Sequence, residues 1–126
     1  MSIQDYKVEL EELLGTVVKE GASDLHLSDG RQPMLRINGS LIPLIKKSVL
    51  KKEDTDAFLS VLVPSEKKKR FLETKELDFS YSFEDSARFR GNAFFQQGKV
   101  SIALRLITKK IPTLTELHLP EILSDF

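Results

Sequence analysis

A chain of 126 residues fits one domain, large enough to bury a core without disulfide or metal staples. It has no cysteine, which excludes a disulfide scaffold, a thiolate metal site and a cysteine nucleophile. Basic and acidic residues balance at 19 each, so the chain lacks the overall positive field of a dedicated nucleic-acid binder.

The first predicted element is an amphipathic helix. Leu10, Leu13, Leu14, Val17 and Val18 recur at three- and four-residue spacing and form one stripe. Ser2 or Asp5 is suited to cap its start, and Gly21 stands where a left-handed C-terminal cap belongs. The pattern then changes to period two: Leu25 and Leu27 share one face of a strand, Asp24, His26 and Ser28 the other. Asp29-Gly30 marks a turn, and Met34 to Ile37 forms a second strand. Asn38-Gly39 is a two-residue hairpin signal, and Leu41 to Ile45 is the returning strand, placed at a sheet edge by Pro43.

A helix is expected over Glu53 to Val63, with Phe58, Val61 and Leu62 inward. Pro64-Ser65 ends it and opens a shorter helix to about Glu73. The run Lys67-Lys68-Lys69-Arg70 winds around that second helix, so it reads as a solvated surface. Leu77, Phe79, Tyr81 and Phe83 alternate as a strand. A turn near Glu84-Asp85-Ser86 leads into a strand from Ala87 to Gln96, and Gln97-Gly98 leads into another from Val100 to Ile107. Beyond Ile111-Pro112 a short helix is expected around Thr113 to Leu117. The fold class is α/β of the α+β kind: an antiparallel sheet flanked by helices.

Register makes the last two strands informative. A two-residue loop at Gln97-Gly98 sets Phe95 against Val100, Ala93 against Ile102, Gly91 against Leu104 and Phe89 against Leu106, all fit for a core face. The other face then carries Asn92 against Ala103 and Arg90 against Arg105, with Arg88 two positions along. Like charges directly opposed across a ladder are destabilising, by up to about 1 kcal/mol. Guanidinium groups do not neutralise themselves, so an anion must compensate. One source is a protein carboxylate, and the preceding hairpin would bring Asp78 within a diagonal step of Arg90. The other is an external anion such as phosphate. On the residues alone the internal salt bridge is the favoured account.

Asp24 and His26 read as structural or interface residues, since only His118 joins His26 as a second histidine and no triad is evident. No metal site is expected; Asp24, His26 and Asp29 make an incomplete ligand set.

Several stretches in order resemble the N-terminal domain of type II/IV secretion and pilus ATPases, above all the PilT-like twitching-motility retraction motors. They are Gly21-Ala22-Ser23-Asp24-Leu25-His26-Leu27, Pro33 to Gly39, Glu76 to Tyr81, Ala87-Arg88-Phe89-Arg90-Gly91-Asn92-Ala93-Phe94, Leu104 to Ile107 and Ile111 to Leu117. The resemblance implies a PAS-like domain over 1–111 and a short helix and linker over 112–126, leading to a RecA-like ATPase core. It implies a homo-hexameric ring, with ATP and Mg²⁺ as cofactors of the full-length parent and none for this fragment. Arg90 and Arg105, with Arg88 as a weaker third, match the positions from which such domains approach ATP phosphates.

The partners implied are the RecA-like domain of the same or a neighbouring subunit and an inner-membrane pilus platform protein, not nucleic acid. The location implied is cytoplasmic, peripheral at the inner membrane. No apolar run approaches the roughly 20 residues that span a bilayer, and no secretory signal is evident at the N-terminus.

The family's P-loop has no counterpart here. The chain's only Gly-Lys pair, Gly98-Lys99, is followed by Val100, so no hydrolysis is expected of the fragment itself. Gly91 stands where the family often has valine and is expected to loosen its strand. The alternative functions are a nucleic-acid-binding sheet, which needs exposed aromatics for stacking, and a PAS-like ligand-sensing or interaction module.

Overall fold

In the computed structural model, which describes residues 2–83 and 87–109, the chain begins with helix α1 (Ile3–Glu20). Its start is a reciprocal capping box. The Asp5 N–H donates to Ser2 Oγ at 3.2 Å and the Ser2 N–H donates to Asp5 Oδ2 at 2.9 Å. The helix ends where Gly21 turns left-handed at φ 70°.

Six strands follow: β1 (Asp24–Ser28), β2 (Met34–Ile37), β3 (Ser40–Pro43), then β4 (Glu76–Phe83), β5 (Ala87–Gln96) and β6 (Lys99–Lys109). Between β3 and β4 lie α2 (Lys52–Leu62) and α3 (Ser65–Thr74). The sheet order is β3-β2-β1-β6-β5-β4, and every neighbouring pair is antiparallel. Its first strand is thus central, bonded to the last. This is the antiparallel, helix-flanked α+β fold that the strand pattern implies. The turn expected at Glu84-Asp85-Ser86, the segment 112–126 and His118 lie outside the described residues.

Two hairpin turns fix the registers. Asn38 and Gly39 have φ of 52° and 83°, and Gln97 and Gly98 have φ of 54° and 78°. Positive φ at both central residues is the type I′ signature, whose twist matches that of the flanking strands. The expected β5–β6 register follows: Gln96 opposes Lys99, Ala93 opposes Ile102 and Arg90 opposes Arg105. A bulge between Arg88 and Phe89 then shifts the ladder, so that Arg88 meets Thr108.

One sheet face is apolar, and the helices cover it. Leu10, Leu13, Leu14 and Val17 of α1, Phe58, Leu59 and Leu62 of α2 and Phe71 of α3 join Leu25, Leu27, Leu35, Phe79, Phe89, Ala93, Ile102 and Leu104 in a single core. Phe71 stacks on Phe95 at 4.9 Å and seals one end of it. Tyr6 clips α1 to α2, its hydroxyl donating to Asp54 Oδ1 at 2.6 Å. In the basic run, Lys68 pairs with Asp56 at 3.0 Å, while Lys67, Lys69 and Arg70 are exposed.

Gly91 departs from its expected role. It does not loosen β5, because the Phe79 ring lies over it: a Cβ built at Gly91 would stand 2.3 Å from that ring. Phe79 and Gly91 are direct cross-strand partners, so the aromatic fills the space the glycine leaves.

Candidate functional site

The face opposite the core is left bare of helices by the described residues, and a row of polar groups runs across it. Following the registers from β2 to β4, the row is Arg36, Asp24, Arg105, Arg90 and Ser80, with the apolar Leu41 beside Arg36 on the edge strand β3. Each residue comes from a different strand, and alternation turns all of them to the same side. Arg90 and Arg105 are both exposed. The expected pairing of the two arginines across the ladder is therefore present. Arg88 is exposed too and stands opposite Ser82 on β4, with Thr108 rather than an arginine across on β6.

The compensating carboxylate is not the one expected. Asp78 lies directly opposite Asn92 and accepts a 2.7 Å hydrogen bond from its amide. That bond engages Asp78 with a neutral partner, and no ion pair joins it to an arginine among the described residues. Asp24 takes the role instead. Its Oδ1 is 3.5 Å from Arg105 Nε, and its Oδ2 is 3.8 Å from Arg36 Nε and 3.6 Å from His26 Nε2. Arg90 makes no ion pair among the described residues. Locally, three guanidinium groups face a single carboxylate, which leaves the row cationic.

Asp24 is only 5% exposed, although it lies on the bare face. Its Oδ1 and the Nε2 of His26 are buried and have no hydrogen-bond partner among the described residues. Such orphans are rare and call for an explanation. Burial pushes the His26 pKa below its usual value, and the neighbouring Arg36 and Arg105 push the same way against Asp24. His26 is accordingly neutral at physiological pH. A cleft of about 420 Å³ continues the face beyond His26, past Met34, Phe94, Lys99 and Ser101.

Arg36 belongs to this row, and sequence reasoning missed it. The signal was present, because the hairpin between β1 and β2 sets Arg36 opposite Asp24. The Asp24–Arg105 pair had no such local signal. It depends on β1 and β6 meeting across 80 residues of chain.

The sequence and the fold are similar to part of secretion and pilus ATPases. Over 117 residues the chain is 37% identical to the type IV pilus ATPase PilU of Pseudomonas aeruginosa, which covers 93% of this chain and 30% of PilU. The type IV pilus retraction ATPase PilT of the same organism is 36% identical over 115 residues, covering 91% of this chain and 33% of PilT. The crystal structure of the pilus retraction motor PilT with bound ADP superposes with a TM-score of 0.72 and 33% identity, over 88% of this chain and 32% of that one. No protein-family model matches the chain.

In sequence and in fold, the chain is a homologue of the N-terminal domain of PilT-like ATPases. It spans about a third of the length of the curated relatives it matches. No helix among the described residues is long and apolar enough to cross a membrane.

Proposed function

We propose that the chain is the N-terminal coupling domain of a hexameric pilus-motor ATPase, and that Arg90 and Arg105 reach the phosphates of ATP held by a RecA-like core. The observation that carries this reading is the exposed Arg90–Arg105 pair on a helix-free face, with Arg90 free of ion pairs among the described residues. A polyphosphate fits this charge. Its oxygens accept several short charge-assisted bonds, which the longer contacts of Asp24 do not replace. The relatives named as pilus ATPases, and the ADP bound in the PilT structure, support the choice of nucleotide.

ATP with Mg²⁺ would supply the phosphoryl group and the metal charge at such a site. Among the described residues no cluster of three or more His, Cys, Asp or Glu side chains is arranged for a metal. In this reading the Mg²⁺ donors belong to the core. The part of this chain is electrostatic: two fixed cations, held by neighbouring strands, oppose charge that grows on the phosphoryl oxygens. Contact made in some nucleotide states and lost in others would move the domain against the core and drive pilus retraction. The partners of this reading are the core of the same or a neighbouring subunit and an inner-membrane platform protein, in the cytoplasm. The nucleic-acid alternative gains no support, since Phe94 is the only Phe, Tyr or Trp that the described strands turn to the bare face.

The test is Arg90→Ala in the full-length protein. ATP turnover is expected to fall at least about tenfold, with the ring still assembled by size-exclusion chromatography. Normal turnover from an intact ring overturns the assignment.

A further inference from the structure

Asp24 is the least ordinary residue on the bare face. A buried carboxylate beside arginines normally draws them to about 2.7–2.9 Å. Here Arg105, His26 and Arg36 stand off at 3.5, 3.6 and 3.8 Å, and Oδ1 has no hydrogen bond among the described residues. Long-range attraction is present, but the geometry does not lock it. Exposure is also divided unequally between the partners. The Asp24 side chain is 7% exposed and fixed in the central strand β1, whereas the Arg105 side chain is 68% exposed. The guanidinium is free to leave, and the carboxylate is not.

We infer that Asp24 is a built-in competitor for the anion that this face receives: it pairs with Arg105 while the face is empty and yields it to an arriving polyphosphate. The inference rests on the phosphate reading above and adds a residue that sets the affinity of the site. An anion seated between Arg90 and Arg105 offers Arg105 several oxygens at short range, in place of one carboxylate oxygen at 3.5 Å. Asp24 then keeps Arg36 as its counter-charge, 3.8 Å from Oδ2, so its charge is not stranded when Arg105 departs. The long contacts follow from this role. A tight bidentate Asp24–Arg105 pair would hold the arginine away from its ligand, and the absence of any counter-ion would leave opposed arginines repelling each other in the empty domain. Occupancy of the face is thereby felt in β1 and β2, two and three strands away from Arg90.

Calorimetric titration of the 126-residue chain with inorganic tripolyphosphate at low salt tests this. Asp24→Asn removes the competing charge and is expected to bind about three- to tenfold more tightly than wild type. Arg105→Ala and Arg90→Ala are expected to bind more weakly. If Asp24→Asn binds no more tightly while both arginine variants weaken, the competitor role is overturned and the phosphate reading stands. If the arginine variants bind like wild type, or if nothing binds, this inference is overturned, while the phosphate reading is decided separately by turnover of Arg90→Ala in the full-length protein.

Should Asp24→Asn fail to fold, wild-type NMR decides. Saturating tripolyphosphate must shift the Asp24 Cγ and Arg105 Nε resonances together. Arginine signals that move while Asp24 Cγ stays fixed overturn the exchange.

Discussion

The two faces of this sheet follow opposite rules. Towards the helices, Phe89, Ala93, Ile102 and Leu104 are buried to 1% exposure or less, and the face consists of apolar side chains packed against α1, α2 and α3. On the other side of the same sheet, Arg90 faces Arg105, and a buried carboxylate and a half-buried imidazole each leave an atom without a hydrogen-bond partner among the described residues. The first face satisfies every requirement of packing. The second violates two, charge balance and hydrogen-bond satisfaction, within a single row. Such local violations are expected where function overrides stability. Neighbouring residues on one strand can therefore carry unrelated tasks, and substitution should separate them.

The widest separation is expected between Phe89 and Arg90. Phe89 is fully buried, so Phe89→Ala leaves a cavity in the core and should cost about 3–5 kcal/mol. That is a large share of the roughly 5–15 kcal/mol that holds a domain of this kind together. Arg90→Ala removes an exposed cation and one half of a like-charge pair, and should change stability by less than about 0.5 kcal/mol. Urea unfolding of both variants checks the contrast. Comparable losses would mean that the bare face is structural and the division of labour is wrong.

Gly91 sharpens the same comparison from the core side. Gly91→Val would place its side chain into the Phe79 ring, and overpacking of this kind costs about 1–3 kcal/mol. The damage is pairwise. Combining Gly91→Val with Phe79→Leu should recover part of the loss, a coupling measurable in a double-mutant cycle. Additive losses would show that the glycine matters for its backbone and not for the ring above it.

How far the residues announce these features depends on the distance over which each is encoded. Helix α1 was legible because its stripe and both of its caps lie within 21 consecutive positions. The β5–β6 register was legible for a similar reason: a two-residue turn at Gln97-Gly98 dictates every pair up to the bulge. The bulge itself was hidden, because no residue type near Arg88 demands it. The counter-ion was hidden for a topological reason. Alternation places Asp24 and Arg105 each on the polar side of its own strand, but only the closure of β1 on β6 makes them neighbours. Local reasoning consequently chose Asp78, the acid that the adjacent hairpin brings within a diagonal step of Arg90, which instead accepts a hydrogen bond from Asn92. Gly91 shows the same limit in the core, since the ring that explains it belongs to another strand.

The smallest expected effect concerns His26, where the two faces meet in one residue: its strand packs into the core while its ring looks outward. Burial, Arg36 from β2 and Arg105 from β6 disfavour the imidazolium, and Asp24 on its own strand favours it; the net direction is a folded-state pKa below the ordinary 6.5. The unfolded chain therefore takes up a proton at a pH where the folded chain does not. Stability from this group is fully present above pH 6.5 and declines as pH falls from there towards the folded-state pKa. Above about pH 5 most carboxylates remain ionised, so the decline should be separable from general acid denaturation. Urea midpoints measured between pH 7.5 and about 5 should fall in wild type, and His26→Gln should flatten the slope. A wild-type midpoint that rises over this window would mean that the attraction of Asp24 outweighs burial, that the ring is charged in the folded domain, and that Asp24 is more firmly engaged with its own strand than a releasable counter-ion of Arg105 allows.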